Sequence, residues 1–201
     1  MKKQTAPSSR TSRLILALLI IILGIVLCVR VTGYYSALEE QRLFQRVDFL
    51  RTQSERTTDP SEKKRLYGEM IAATENTTSY ALGELRGFAL YLSAAAGPEE
   101  KGALLDQLIK EFSSHPSPYM HDYVLWAKNQ KTHKLDDAAR LEAYEKIIDE
   151  YKNDDKEFTA KTMTWLVGKI LNILEKAPER CSRYDDLVVA LTGSQYEKEI
   201  P

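Results

Sequence analysis

Hydrophobic and polar positions recur on three scales along this chain, and each scale predicts a different element. On the first, Leu14 to Val29 (LILALLIIILGIVLCV) run for sixteen positions without a charged or strongly polar side chain. A bilayer span needs about 20 predominantly apolar residues, so Val31 to Tyr35 complete the crossing while Arg30 snorkels toward the headgroups. The anchor side chains are Leu14, Ile15, Leu16, Leu18, Leu19, Ile20, Ile21, Ile22, Leu23, Ile25, Val26 and Leu27. Tyr34 and Tyr35 then fall where interfacial aromatic side chains belong. A transmembrane helix is expected over 14–35, after a basic, Ser- and Thr-rich disordered tail at 1–13.

On the second scale, apolar residues recur at helical spacing. Leu38, Leu43, Val47 and Leu50 do so among charges in a stretch without Gly or Pro from Tyr34 to Ser54, which predicts a helical stalk over 36–59. Asp59 and Pro60 read as the N-cap and first residue of a second helix, with Glu62 placed to close a capping box. This helix is expected to reach about residue 75. Others follow at about 78–96, 98–113, 117–131, 136–152, 156–176 and 184–192, punctuated by Asn76-Thr77, Gly97-Pro98, Pro116 with Pro118, Asn153-Asp154-Asp155 and Ala177-Pro178. No segment alternates with period two, so no strand is expected. A flexible C-terminus at 196–201 closes the chain.

The third scale is a repeat. LLDQLIKEF at 104–112 aligns with AYEKIIDEY at 143–151 at an offset of 39, and the register continues from Tyr119 to Phe158 and from Trp126 to Trp165. A fainter copy places Met70, Ile71 and Phe88 38 residues before Leu108, Ile109 and Trp126. These segments resemble the tetratricopeptide-repeat (TPR) family: AYEKIIDEY is similar to the second helix of such a repeat, and FSSHPSPYMHDYVLWA to the passage into the next first helix. The unit here is longer than the family's usual length of about 34 residues, Ala127 and Gly168 stand as its small residues, and Lys152 occupies the place of its closing Pro. The resemblance implies an all-α, TPR-like stack of antiparallel helical hairpins over 60–195. Each hairpin would bury its apolar face on the next, and Leu187, Val188 and Leu191 would cover Leu171 and Leu174.

Charge orients these elements. Lys2, Lys3, Arg10 and Arg13 precede the apolar run and only Arg30 stands just after it, so the N-terminus is expected in the cytoplasm and the domain outside it. The site would be the cell membrane, with a periplasmic domain if the source is bacterial. Two alternatives stay open: a signal peptide cleaved near Val31-Thr32-Gly33, and a lipid-modified Cys28, since Ile25-Val26-Leu27-Cys28 loosely resembles a bacterial lipobox. Beyond residue 33 the chain holds 23 basic and 29 acidic residues, a net charge of −6, which argues against nucleic-acid binding. Cys28 and Cys181 are the only cysteines. With Cys28 in the membrane no disulfide within the chain is expected.

Candidate chemistry is sparse. His115, His121 and His133 lack the i, i+3 or i+4 spacing of ligands on one helix face. The carboxylates at Asp136-Asp137, Asp149-Glu150, Asp154-Asp155 and Asp185-Asp186 sit at expected helix ends, where they serve the helix dipole or solvent. Asn76-Thr77-Thr78 is a glycosylation sequon. No phosphate loop, nucleophile elbow or zinc-binding pattern is present, so neither enzymatic activity, nor a cofactor, nor a small-molecule substrate is expected. Tyr119, Tyr123, Trp126, Tyr144, Tyr151, Phe158 and Trp165 are the candidates for a repeat core or a partner-binding groove. The expected function is a membrane-anchored protein-interaction module assisting secretion or envelope assembly. The alternative is a self-associating envelope component that oligomerises through span and stalk.

Overall fold

The computed structural model describes residues 9–97, 101–154, 156–175, 185–186, 188–189 and 191–192, with side chains from residue 16 onward. Among these residues the fold is all-α, with seven helices and no strand: α1 (Ser9–Arg56), α2 (Pro60–Ala73), α3 (Tyr80–Ala96), α4 (Lys101–Phe112), α5 (Pro118–Thr132), α6 (Asp137–Tyr151) and α7 (Glu157–Leu174). The chain divides into two compact units, residues 1–48 and 49–201.

The first unit is a single helix. α1 begins at Ser9, inside the segment expected to be a disordered tail. Nothing between Pro7 and the apolar run breaks a helix, so the run propagates its hydrogen bonds backward. It is one helix long and apolar enough to cross a membrane, and from Leu16 to Val31 its large apolar side chains are exposed. The hydroxyl of Thr32, in the distal part of the span, donates to the carbonyl of Cys28 at 2.8 Å, which satisfies it without water. Tyr34 and Tyr35 are exposed and meet edge to face at 6.1 Å.

In the second unit Leu50 and Ser54 of α1 are buried, so the last stretch of the expected stalk belongs to the packed domain. The turn after α1 differs in one detail from the capping box expected there. Asp59 accepts the backbone N–H of Ser61 at 3.0 Å, but Glu62 does not reach back: its carboxylate is held by Arg65 at 2.6 and 2.8 Å. A guanidinium one turn ahead competes better for that carboxylate than a backbone N–H does. At α6 the cap is simpler, with Asp136 accepting the N–H of Ala139 at 2.9 Å.

Successive helices pack on one another from α2 to α7, and α5 also meets both α3 and α7. The first residue of α4 reaches the last turn of α5, Lys101 donating to Gln130 at 2.8 Å, so these two helices run antiparallel. Two apolar cores result. One gathers Leu90 and Ala94, Leu105, Leu108 and Phe112, and Met120, Val124 and Ala127, from α3, α4 and α5. The other gathers Leu125 of α5 with Leu141, Tyr144, Ile147, Ile148 and Tyr151 of α6 and Met163, Leu166, Val167, Ile170 and Leu174 of α7. Leu191 is buried in this second core and Val188 is half-buried, while Leu187 lies outside the described residues. Some positions matched by the repeat share an environment, since Met70, Leu108 and Ile147 are all buried, as are Phe112 and Tyr151, whereas Ile109 is half-buried and its match Ile148 fully buried.

The small residues depart from expectation. Ala127 is buried, but Gly168 has open space where a Cβ would stand, so it closes no contact. The close approach is made by Gly87 instead, where a Cβ would collide with Sδ of the buried Met120. We expect Gly87→Val to destabilise the domain by about 1–3 kcal/mol through overpacking and Leu108→Ala by about 2–5 kcal/mol through the cavity it leaves. Gly168→Ala should hold or raise stability. Urea unfolding of the three variants reads these differences.

Candidate functional site

The odd-numbered helices of the domain each carry one stripe of large side chains. On α5, Tyr119, Tyr123 and Trp126 stand at i, i+4 and i+7, and on α7 Phe158 and Trp165 stand at i and i+7, one face in each case. On α3 the stripe is Tyr80, Phe88 and Tyr91. The stripes of α3 and α5 interlock. Tyr91 and Tyr123 stack with ring centres 4.4 Å apart and planes 9° apart, Trp126 meets Tyr91 edge-on at 4.7 Å, and Phe88 lies 6.5 Å from Tyr123. Such pairs hold rings in fixed orientations while leaving one edge or face to solvent.

The seven aromatic candidates therefore divide. Tyr144 and Tyr151 are core residues. Burial, and then the charges of Glu150 and Asp154, push the Tyr151 phenol far above its ordinary range. Tyr123 and Trp126 are half-buried, and burial is also the main cause that raises the Tyr123 phenol. Tyr119, Phe158 and Trp165 are open, at 65%, 37% and 39% exposure. The open three come from the two adjoining helices α5 and α7. Phe88 was marked only by the faint repeat, and Tyr80 and Tyr91 were missed. Their 11-residue separation on one helix face was the available signal.

Trp165 rests edge-on against buried Tyr144, with centres 6.0 Å apart, and faces His133 at 6.3 Å. Lys169, one turn further along α7, holds its ammonium 5.2 Å from the Trp165 ring centre. Trp126 is matched in kind, with Lys101 Nζ 5.9 Å from its ring centre. Burial, and then the charges of Lys101, Arg140 and Lys169, lower the proton affinity of His133.

The three histidines serve different places. His115 stacks on Tyr80 at 5.0 Å, and its Nδ1 accepts the Ser117 N–H at 3.2 Å. His121 links α5 to the turn before α7 by pairing with Asp154, and lies edge-on to Tyr151 at 5.1 Å. Burial pulls the Asp154 carboxyl upward, but the Lys156 N–H and ammonium and the His121 ring outweigh this and hold it below its ordinary range. Among the described residues no group of three His, Cys, Asp or Glu side chains is placed to hold a metal ion.

A polar crevice of about 400 Å³ lies beside Tyr80 and His115, floored by Arg86 and Glu111. Arg86 is buried in the middle of apolar α3, a position the sequence reading passed over. It makes a two-pronged pair with Glu111 of α4 at 2.6 and 3.1 Å and donates to the Ile71 carbonyl near the end of α2 at 2.6 Å. All its partners are internal, so it ties three helices together.

Compared with known proteins, the chain matches no protein-family model, no curated protein and no solved structure.

Arg86 generates a pH prediction. Its guanidinium holds the Glu111 carboxyl below the ordinary 4.5. The pair's contribution is thus present at neutral pH and is lost as pH falls below about 4.5 through the depressed value. Glu111→Gln should lower stability at pH 7 and flatten the acid limb of the stability–pH curve. Arg86→Met, which leaves a carboxylate facing an apolar side chain, should cost about 2–4 kcal/mol at pH 7. Urea unfolding at pH 3 to 7 measures both effects.

Proposed function

We propose that this chain is a membrane-anchored interaction module whose helical domain, a TPR-like stack, holds a segment of a partner polypeptide on the aromatic stripes of α3, α5 and α7. The observation that carries this reading is the open set Tyr119, Phe158 and Trp165, the last of which rests on buried Tyr144. Large aromatic side chains left exposed on a rigid base are the usual anchors of protein interfaces. The apolar part of α1 supports attachment to the membrane, and the basic residues before it support a cytoplasmic N-terminus with the domain on the extracytoplasmic side. Assistance to secretion or envelope assembly fits a module of this layout.

A second reading, self-association, is favoured by one observation: Phe49 of α1 is 60% exposed on a helix otherwise rich in charge at this point. The two readings part in a crosslinking experiment. A photoreactive amino acid replacing Tyr119 in the full chain, in native membranes, should yield a discrete adduct heavier than the chain by something other than its own mass. The same group replacing Glu142 on α6 should yield none. Only a self-dimer adduct, or equal labelling from both positions, would defeat the interaction reading.

Topology is tested separately. A reporter fused after Pro201 should be active only outside the cytoplasm, and N-terminal sequencing of the mature chain should find the apolar run at 14–35 still attached. A mature start at Tyr34 would show a cleaved signal instead of an anchor.

A further inference from the structure

The chain holds two tryptophans, and both carry a lysine ammonium near the ring: Lys101 at Trp126 and Lys169 at Trp165. Neither ammonium has a carboxylate partner among the described residues. Lys101 bonds to the neutral amide of Gln130, and among the described residues the contact of Lys169 is with the Trp165 ring. Two lysines close by on α5 do have acid partners. Lys131 pairs with Asp106, and Lys128 with Glu150 at 2.6 Å.

The two ammoniums belong to one patch. His133, at the end of α5, lies beside Trp165 and senses the charges of Lys101, Arg140 and Lys169 together. Arg140 brings a further charge from α6, partly engaged with Asp137 at 3.3 Å and with the carbonyls of Thr132 and Leu135 at 3.3 and 2.5 Å. Those carbonyls account for Arg140. They do not account for the lysines, since the C-terminal dipole of α5 amounts to roughly half a charge and Arg140 already serves it.

Cations held beside one another repel, and with Asp137 engaged by Arg140 the two lysines retain this repulsion in the free chain. An incoming anion would relieve it, and the adjoining indoles offer apolar contact to the same ligand. Resting on the function proposed above, we infer that the partner segment is acidic, placing carboxylate side chains against Lys101 and Lys169 and an apolar side chain on Trp165. A polypeptide fits better than a lipid surface, because the cations come from three helices around half-sunk rings and do not line one outward-facing helix.

The test uses the full chain in phosphatidylcholine nanodiscs, offered a random displayed-peptide library. Enriched peptides should be rich in Asp and Glu beside a large apolar residue. Titrating one of them should change the emission of the two indoles, both of which lie in the patch. Lys101→Glu with Lys169→Glu should weaken that peptide at least about tenfold with the helical circular-dichroism signal kept, while Lys146→Glu, an exposed reversal on α6, should leave it within about twofold. Enrichment without acidic bias, or binding indifferent to the lysine pair, would overturn the inference and leave the interaction module standing. No enrichment at all would remove the interaction reading itself. Lysine-dependent binding of phosphatidylglycerol vesicles without binding of acidic peptides would overturn the inference in favour of a lipid ligand.

Discussion

The domain depends on α5 being apolar toward two neighbours at once. Met120, Val124 and Ala127 close one core with α3 and α4, while Leu125 enters the other with α6 and α7. A helix with buried residues toward both sides has only a narrow strip left for solvent. On α5 that strip carries Tyr119 and one side of Tyr123 and Trp126. The candidate binding face is thus what remains of α5 after both cores are satisfied, and its rings are fixed because the helix beneath them cannot rotate without uncovering apolar surface.

Polar interactions supplement this packing at chosen points. Arg86 secures the end of α2 to α3 and α4, and His121 with Asp154 secures α5 to the turn before α7. Each bond joins elements that are distant in sequence and engages groups that would otherwise be costly to bury. The charges at the other end of α5 behave differently. Lys101 and Lys169 rest near rings, with no acid partner among the described residues, although Lys131 and Arg140 close by do have one. In the first unit the constraint is the solvent: exposed leucines and isoleucines from Leu16 to Leu27 are stable only in lipid or against another apolar surface.

Much of the fold is legible in the sequence because it depends on local signals. Helical periodicity, Asp59 with Pro60, and Pro118 at a helix start place most helix ends within a few residues of where they are. Leu108 and Ile147, matched in the repeat, are both buried, but Ile109 and Ile148 differ. What sequence reading misses depends on distance across the fold. Gly87 matters because Met120 of another helix lies over it, and Arg86 because its length lets it reach a carbonyl and a carboxylate on two others. The pairing of lysines with tryptophans is equally non-local. Within the aromatic set the residue types were legible, but the division into core Tyr144 and open Trp165 was not. Both sit on amphipathic helices, and only the packing decides which side each ring takes.

The central claim is that the open aromatic side chains serve a partner and not the fold. Replacing Tyr119 and Phe158 together by Ser in the full chain, then measuring urea unfolding alongside partner recovery from native membranes, tests it directly. The account predicts a stability change within about 1 kcal/mol and a partner signal reduced to background. A domain that unfolds early, or a partner recovered undiminished from a stable variant, would contradict it.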